Sequence, residues 1–312
     1  MIDVQRLRVL RAVAEHGSFN KAADALLLTP SAVSQQIAAL ERTLGHPVAV
    51  RSTRGITLTA AGRLLVEAAE TISAELDQVR HEIDRLTGDR PRLTVATFAS
   101  GGRHLLPGAL SRFVAAHPEV ELTVLEGEPE TALPMVRTGT ADLALAYHFD
   151  GPPPVPAGGR SGLDWTPLME DPLWLVLPRG HRLADRPSLG PAELSGDRWV
   201  LGCLKTETFL RRYAELAGFG LQVAASTTDY FFAQSLVAAG VGVSLVPEVA
   251  LAPGPGLVAV RVAAPRPARH IGVATARRRR PRPYTEALAS ALTAAAAGAA
   301  AADAAPEPGA GR

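Results

Sequence analysis

The chain has 312 residues, of which 47% are hydrophobic and 20% charged, and its formal net charge at pH 7 is +1. This length suggests about two domains that can each bury a core, and the single cysteine, Cys203, excludes an intramolecular disulfide framework. No apolar run is long enough to span a bilayer and no secretory signal precedes the first charged helix, so we expect a cytoplasmic protein.

Two short helices, a tight turn and a basic hairpin are predicted between residues 17 and 65. Ser18 can cap the first of these helices, and Thr29 can cap the second, with Pro30 at the first helical position. The second helix carries an apolar stripe, formed by Val33, Ile37, Leu40 and Leu44. This pattern is typical of a DNA-binding domain, here residues 1–59, that places one helix in the major groove and a wing beside it. The alternative is an ordinary helical hairpin whose polar face is solvated.

The polar face of the second helix and the hairpin supply the candidate DNA contacts. Short hydroxyl and amide side chains can approach base edges and phosphates, and arginines of the hairpin can bind phosphates or the minor groove. The predicted DNA-binding residues are Pro30, Ser31, Ser34, Gln35, Arg51 and Arg54. Residues 1–63 contain eight Arg and Lys against four Asp and Glu, a surplus of four positive charges that favours contact with double-stranded DNA.

A long helix is predicted over residues 60–86, which contain no proline and a single glycine. Its apolar residues recur at spacings of three and four and form a heptad-like seam: Leu65, Ala69, Ile72, Leu76, Val79, Ile83 and Leu86. At 1.5 Å per residue the helix is roughly 40 Å long and can hold two DNA-reading domains apart. We expect residues 60–88 to form a dimerisation helix, the alternative being a helix packed on its own domain. Breaker residues from Gly88 to Pro91 end it.

From residue 91 to about residue 290, strands alternate with helices, which predicts parallel sheets joined by crossover helices. Strands are expected at 92–98, 120–126, 142–147, 173–178, 198–201, 221–227 and 243–246, and helices at 105–116, 129–138, 207–217 and 230–239. The elements form two similar sets, so the predicted fold class is α/β, with two lobes and a cleft between them. A terminal helix is expected at 287–297 and a disordered tail at 298–312. The arginine-rich segment 277–282 is interpreted as solvated rather than as a second DNA contact.

Ligands of open α/β sheets bind beyond the carboxyl ends of strands, next to helix N-termini. This rule selects the predicted effector-binding residues Thr97, Ser100, Tyr147, Gly202, Cys203, Thr206 and Thr228, with Gly101, Gly102, His148, Lys205 and Thr227 beside them. For each residue alone, helix capping is the alternative. A small anionic or zwitterionic metabolite is the favoured ligand, because these positions offer hydroxyls, helix N-termini and a lysine but no cluster of carboxylates. The eight histidines lack metal-ligand spacing and no catalytic motif is present, so we expect no metal, no cofactor and no enzyme.

The first 65 residues resemble the winged helix-turn-helix of the LysR-type transcriptional regulators. The resemblance is carried by the run Ala22–Leu26, by Ala32-Val33-Ser34-Gln35-Gln36-Ile37, by Leu40-Glu41 and Leu44-Gly45, by Arg51–Gly55, and by Leu58-Thr59 with Gly62. The chain departs from the family in having Pro30-Ser31, where Gln-Pro is usual, and in lacking an aromatic residue before the wing arginine.

The two-lobed region is similar in topology to the periplasmic-binding-protein-like effector domain of the same family. The resemblance implies a transcriptional regulator whose DNA binding or activation responds to a small-molecule effector. It also implies a homodimer or homotetramer, with RNA polymerase as a further partner. A periplasmic solute-binding protein is disfavoured by the DNA-reading domain, and an architectural DNA binder is disfavoured by the large second domain.

Some members of this family sense peroxide through a cysteine in the loop that holds Cys203. A redox switch of this kind needs a thiolate of low pKa and usually a second cysteine as resolving partner. Because the chain has one cysteine only, we interpret Cys203 as a buried or pocket-lining thiol.

Overall fold

The computed structural model describes residues 2–52, 55–86, 90–149, 151, 153–154, 162–252, 254–264, 266–277 and 282–303. Two compact units divide the chain, the first formed mainly by residues 1–88 and the second mainly by residues 89–312. Among the helices described, none combines the length and apolar character that a membrane span requires.

The first unit contains three helices, a hairpin and one long helix. They are α1 (Val4–His16), α2 (Phe19–Leu26), α3 (Pro30–Leu44), β1 (Ala49–Ser52), β2 (Gly55–Leu58) and α4 (Ala60–Leu86). The Thr29 hydroxyl accepts a hydrogen bond from the Ala32 N–H at 3.2 Å and Pro30 starts α3, which confirms the predicted cap. Ser18 is at the N-cap position of α2, but its side chain makes no capping hydrogen bond there.

The core of the first unit forms where the apolar stripe of α3 packs on α1 and α2. Val33, Ile37 and Leu40 are buried, as predicted, and Leu44 is partly buried. Glu41 joins α3 to the hairpin, because its carboxylate accepts a hydrogen bond from the Val48 N–H at 2.9 Å. At the start of α4, a Cβ on Gly62 would collide with the Val48 carbonyl oxygen, so only glycine permits this close approach of helix and hairpin.

The second unit contains strands and helices of two lobes. In chain order the described elements are β3 (Arg92–Thr97), α5 (Ala99–Ala116), β4 (Glu121–Glu126), α6 (Pro129–Thr138), β5 (Leu143–His148), β6 (Leu163–Pro178), β7 (Ser188–Leu189), β8 (Arg198–Leu201), α7 (Leu204–Leu216), β9 (Gln222–Ser226), α8 (Tyr230–Ala238), β10 (Ser244–Pro247), β11 (Leu257–Val262), β12 (Ala268–Ala276) and α9 (Pro283–Asp303).

The sheet of the second unit is mixed, so the prediction of parallel sheets is wrong in part. β3 pairs in parallel with β4 and β5, and β8 with β9. In contrast, β12 pairs antiparallel with β5 and with the first part of β6, while β10 and β11 pair antiparallel with its last part. The prediction missed β11, β12 and the start of β6, where prolines and charged residues interrupt the apolar pattern.

The strand β6 passes through both lobes. Its residues 163–172 pair with β12 in lobe 1, which also contains β4, β3 and β5. Its residues 173–178 pair with β10 and β11 in lobe 2, where β8 and β9 also lie. The predicted two-lobed architecture is therefore confirmed. The chain passes from lobe 1 to lobe 2 within β6 and returns to lobe 1 between β11 and β12.

Two helix boundaries differ from the prediction for physical reasons. α5 begins at Ala99 rather than at Leu105, so Gly101 and Gly102 lie within the helix and not in a loop before it. Glycine is required at position 101 because a Cβ there would collide with the Phe98 ring. α9 packs on lobe 1 through Leu288, Leu292 and Ala296 and continues to Asp303. The domain thus extends beyond residue 290, and residues 298–303, expected in a disordered tail, are helical, consistent with the high helix propensity of alanine. Residues 304–312 lie outside the described residues.

Candidate DNA interface and effector site

In the first unit, the face of α3 opposite its buried stripe is open to solvent. Pro30, Ser31 and Gln35 are exposed there and Ser34 is partly exposed. The hydroxyl of Ser31 lies 3.0 Å from that of Thr29, so the N-terminal turn of α3 presents an ordered pair of hydroxyl groups. In the hairpin, the backbone of Arg51 pairs with Ile56. Arg54 lies outside the described residues.

In the second unit, the N-termini of α5, α7 and α8 meet at a pocket between the two lobes, hereafter the interlobe pocket. It is lined by Phe98, Ala99, Ser100, Glu128, Tyr147, Cys203, Thr228, Asp229, Tyr230, Phe231 and Arg269. The first N–H groups of a helix have no partner within the helix and favour negative charge. The free volume is about 20 Å³, so the pocket has room for about one water molecule.

A buried ion pair lies where the chain crosses between the lobes. Arg269 donates from Nε to Asp171 Oδ2 at 2.8 Å and from Nη2 to the Ser100 hydroxyl at 3.1 Å. The exposed fractions of the Arg269 and Asp171 side chains are 1% and 0%. Burial opposes the charge of the guanidinium, but Asp171 and the neighbouring tyrosines outweigh it, so the pKa of Arg269 is raised. Arg269 is therefore a permanent cation in the wall of the interlobe pocket.

Three aromatic rings surround this cation. The Arg269 Cζ atom lies 5.1 Å from the ring centre of Phe98, 4.5 Å from that of Tyr147 and 5.8 Å from that of Tyr230. These distances are within the range of cation–π attraction. Burial raises the pKa of Tyr147 and of Tyr230 well above the usual range, so both hydroxyls remain protonated.

A carboxylate and a lysine lie at the other side of Tyr147. The Tyr147 hydroxyl donates to Glu128 Oε2 at 2.7 Å and lies 3.7 Å from Cys203 Sγ. Lys205 Nζ lies 2.6 Å from Glu130 Oε2 and 3.7 Å from Glu128 Oε2. The interlobe pocket thus combines a buried cation next to a hydroxyl with a partly exposed carboxylate.

Of the predicted effector-binding residues, Ser100, Tyr147, Cys203 and Thr228 line the interlobe pocket. Thr206 and Gly202 instead support Tyr230: the Thr206 hydroxyl is hydrogen-bonded to the Tyr230 hydroxyl, and a Cβ on Gly202 would collide with the tyrosine ring.

The remaining predicted residues have local structural contacts. The buried hydroxyl of Thr97 donates to the Phe98 carbonyl at 3.2 Å, and that of Thr227 accepts from the Asp229 N–H at 2.9 Å. His148 lies beside His270, with 5.1 Å between the ring centres and an angle of 30° between the ring planes, and it lies outside the interlobe pocket.

The sequence did not reveal several polar residues of this site, namely Glu128, Asp171, Asp229, Tyr230 and Arg269. Arg269 follows a proline-rich connection and Asp171 precedes Pro172, so both have the local sequence of exposed loop residues. Their closeness depends on the pairing of β12 with β6, which neither segment predicts by itself.

Two family models match the chain. A model described as "LysR substrate binding domain" matches residues 87–297, and one described as "Bacterial regulatory helix-turn-helix protein, lysR family" matches residues 4–63. The regulator IlvY of Escherichia coli is 30% identical over 276 residues, covering 81% of this chain and 84% of that protein. The transcriptional dual regulator OxyR of Escherichia coli is 29% identical over 263 residues, covering 81% of each chain.

Solved structures with similar folds include full-length BenM, with a TM-score of 0.55 and 22% identity over 98% of this chain and 99% of that one. A full-length OxyR variant from Pseudomonas aeruginosa has a TM-score of 0.54 and 22% identity over 94% of this chain and 95% of that one. These structures share the fold, and the sequence matches cover both units. The chain therefore belongs to the LysR family of DNA-binding transcriptional regulators, which are modulated by small-molecule effectors and are not enzymes.

Proposed function

We propose that the effector of this regulator is a small zwitterionic metabolite that binds in the interlobe pocket. Its carboxylate binds next to Arg269, the Ser100 hydroxyl and the N-terminus of α5, and its ammonium group binds next to Glu128. The observation that carries the proposal is the buried Arg269 beside Ser100, with the Glu128 carboxylate across Tyr147. Charge-assisted hydrogen bonds of this kind are among the strongest in proteins.

Effector binding changes the relation of the two lobes in this proposal. A free volume of about 20 Å³ is too small for an organic acid, so the lobes or their lining side chains must move apart to admit it. Arg103 of α5 lies 3.9 Å from the ring centre of Phe231 of α8, a cation–π contact that joins the lobes beside the pocket. A ligand shifts such an equilibrium only by its different affinity for the two arrangements, typically about 1–3 kcal/mol.

A thermal-shift screen with the full-length protein tests the charge preference. The probes are the standard amino acids, the 2-oxo acids that correspond to them, and the amines that lack the carboxylate. We expect an amino acid to raise the melting temperature and its 2-oxo acid and amine to have little effect. Glu128→Gln should remove the preference for the amino acid, whereas Glu126→Gln, on an exposed strand position, should not. The proposal would be contradicted if 2-oxo acids stabilised the protein and did so equally in Glu128→Gln and Glu126→Gln.

Ser100→Ala tests the site itself. It removes one hydrogen bond to the ligand and should weaken binding of the amino acid identified in the screen about tenfold. Effector-free DNA binding should remain at the wild-type level, and Ser290→Ala, exposed on α9, is the matched control. Loss of DNA binding without ligand would instead make Ser100 a structural cap.

We further propose that Pro30, Ser31, Ser34 and Gln35 approach the major groove while Arg51 and Arg54 bind phosphates or the minor groove. The exposed polar face of α3 supports this assignment. We also propose that the chain acts in the cytoplasm as a homodimer or homotetramer formed through α4 and that it contacts RNA polymerase. The solvent-exposed apolar residues of α4 support the oligomer.

A further inference from the structure

A second cavity lies in the second unit between α7, the end of β5 and the connection that leads into β12. We name it the aromatic groove and define it by Phe149, Phe209, Tyr213, Lys205, Arg212 and Arg266. Its volume is about 710 Å³, which is within the range of small-molecule sites. None of the residues that line it also lines the interlobe pocket.

Three aromatic rings form one wall of this groove. The ring of Phe149 is nearly parallel to that of Phe209, at 13° and 5.5 Å between centres, and Phe209 is within 23° and 6.1 Å of Tyr213. All three side chains are only partly buried, and Leu216 at the end of α7 is 80% exposed. A flat ring can extend this stack or contact its edges, and both geometries are favourable for aromatic pairs.

The rim of the aromatic groove is positively charged. Lys205 is neutralised by Glu130, but Arg212 and Arg266 form no ion pair with any residue that the structure describes. The Nη2 atom of Arg266 is buried and lacks a hydrogen-bond partner among the described residues, and burial lowers the pKa of this guanidinium. A buried charged nitrogen without a partner is unfavourable, and a ligand carboxylate would satisfy it.

We propose that the aromatic groove is a second ligand site, separate from the interlobe pocket, and that it takes a planar aromatic carboxylate. The ring of the ligand lies against Phe149, Phe209 and Tyr213, and its carboxylate binds Arg266 and Arg212. The site goes beyond the effector site proposed above and does not depend on it.

Titration calorimetry of the full-length protein with 2-naphthoate tests this proposal. We expect one 2-naphthoate bound per chain. 2-Naphthylmethylamine and cyclohexanecarboxylate should each bind at least about tenfold more weakly, because the first carries a positive instead of a negative charge and the second lacks the flat ring. Phe209→Leu keeps an apolar side chain without the ring, and Arg266→Gln keeps hydrogen-bonding groups without the charge. Each should weaken 2-naphthoate binding about tenfold.

Arg211→Gln is the matched control, because Arg211 lies on α7 but is paired with Glu207 at 2.7 Å and does not line the groove. It should bind 2-naphthoate like the wild type, and so should Ser100→Ala, whose substitution lies in the interlobe pocket. Equal binding of all three probes, wild-type affinity in Arg266→Gln, or lost binding in Ser100→Ala would each overturn the proposal. The last result would place the ligand in the interlobe pocket.

Discussion

At the scale of single residues, the ion pair of Arg269 and Asp171 links the stability of the fold to the proposed effector site. Asp171 accepts hydrogen bonds from Arg269 and from the Val249 N–H at 3.0 Å, so it connects β12, β6 and the segment after β10. Burying one charge alone is unfavourable, because its hydration is lost without compensation. The same guanidinium that holds these segments together also faces the interlobe pocket.

We predict that Arg269→Gln lowers the free energy of unfolding by about 3–5 kcal/mol, since it leaves the Asp171 carboxylate buried without a partner. The double variant Arg269→Gln with Asp171→Asn restores neutral hydrogen bonding and should recover most of this loss. It should bind operator DNA and fail to respond to the effector. Urea unfolding and DNA binding measured on the single and double variants check this, and full effector response in the double variant would contradict the role of Arg269.

The buried tyrosines predict a loss of stability in alkali. The pKa of Tyr147 is raised by burial and by the nearby Cys203 and Glu128, so the folded chain retains the phenolic proton more tightly than the unfolded chain does. This contribution is fully present below the ordinary tyrosine pKa of about 10 and is lost as pH rises above it. Urea midpoints at pH 8 and at pH 11 should therefore differ less in Tyr147→Phe than in the wild type. A pH dependence identical in both would show that Tyr147 ionises in the folded protein.

The candidate DNA contacts predict two different kinds of defect. Gln35→Ala should cost about 1–3 kcal/mol of operator binding and relax the preference at one base pair, because an amide can read a base edge. Arg54→Ala should weaken all sequences alike and flatten the salt dependence, because a phosphate contact releases a counterion. Gel-shift titrations at several salt concentrations separate these effects, with Arg92→Ala in the second unit as the control. Unchanged affinity in both variants would refute the assignment.

At the scale of elements, α4 carries an apolar seam of which three consecutive members are exposed in the part of the chain that the structure describes. Leu76, Val79 and Ile83 are 57%, 50% and 57% exposed. They follow one another at spacings of three and four, the pattern of a helix that pairs with another helix. Ala69 and Ala74, by contrast, are buried within the described chain. The outer part of the seam is therefore available for a second copy.

We predict that Leu76→Glu dissociates the dimer, because it places an uncompensated carboxylate in an apolar contact. Light scattering should show a smaller particle, and footprinting should show that binding to two half-sites is lost while weak contact with one half-site remains. Arg80→Glu changes a charge at an exposed position of α4 outside the seam and should leave the oligomer intact. An unchanged particle mass in Leu76→Glu would mean that α4 is not the interface.

The elements also show how far the sequence predicts this molecule. The stripe on α3, the cap at Thr29 and the continuous helix α4 follow from local rules of spacing and capping, and the structure has all three. The site is less predictable, because strand ends and helix N-termini point to Ser100 and Cys203 but not to Arg269. The position of Arg269 depends on the antiparallel pairing of β12 with β5 and β6, which are distant in the sequence, and no local pattern in the sequence encodes that pairing.

At the scale of the whole molecule, lobe 2 is an insertion within lobe 1. Lobe 1 is built from β3 to the first part of β6 and is completed by β12 and α9, while residues 173–262 between them form lobe 2. The chain passes between the two lobes within β6 and again in the connection from β11 to β12. We expect two such crossings to let the lobes reorient as bodies while the ion pair of Arg269 and Asp171 stays between them.

The order of the strands has a consequence for biosynthesis. β12 lies between β5 and β6 and is synthesised after all the other strands that the structure describes. Until residue 276 has emerged, β5 and the first part of β6 lack the strand that pairs with both of them in the folded protein. Open strand edges are prone to pair with other chains. The growing polypeptide therefore carries an incomplete lobe 1 from the synthesis of β6 until that of β12. We expect a chaperone that covers such strand edges to raise the yield of native protein more than it does for a chain whose strands pair in the order of their synthesis.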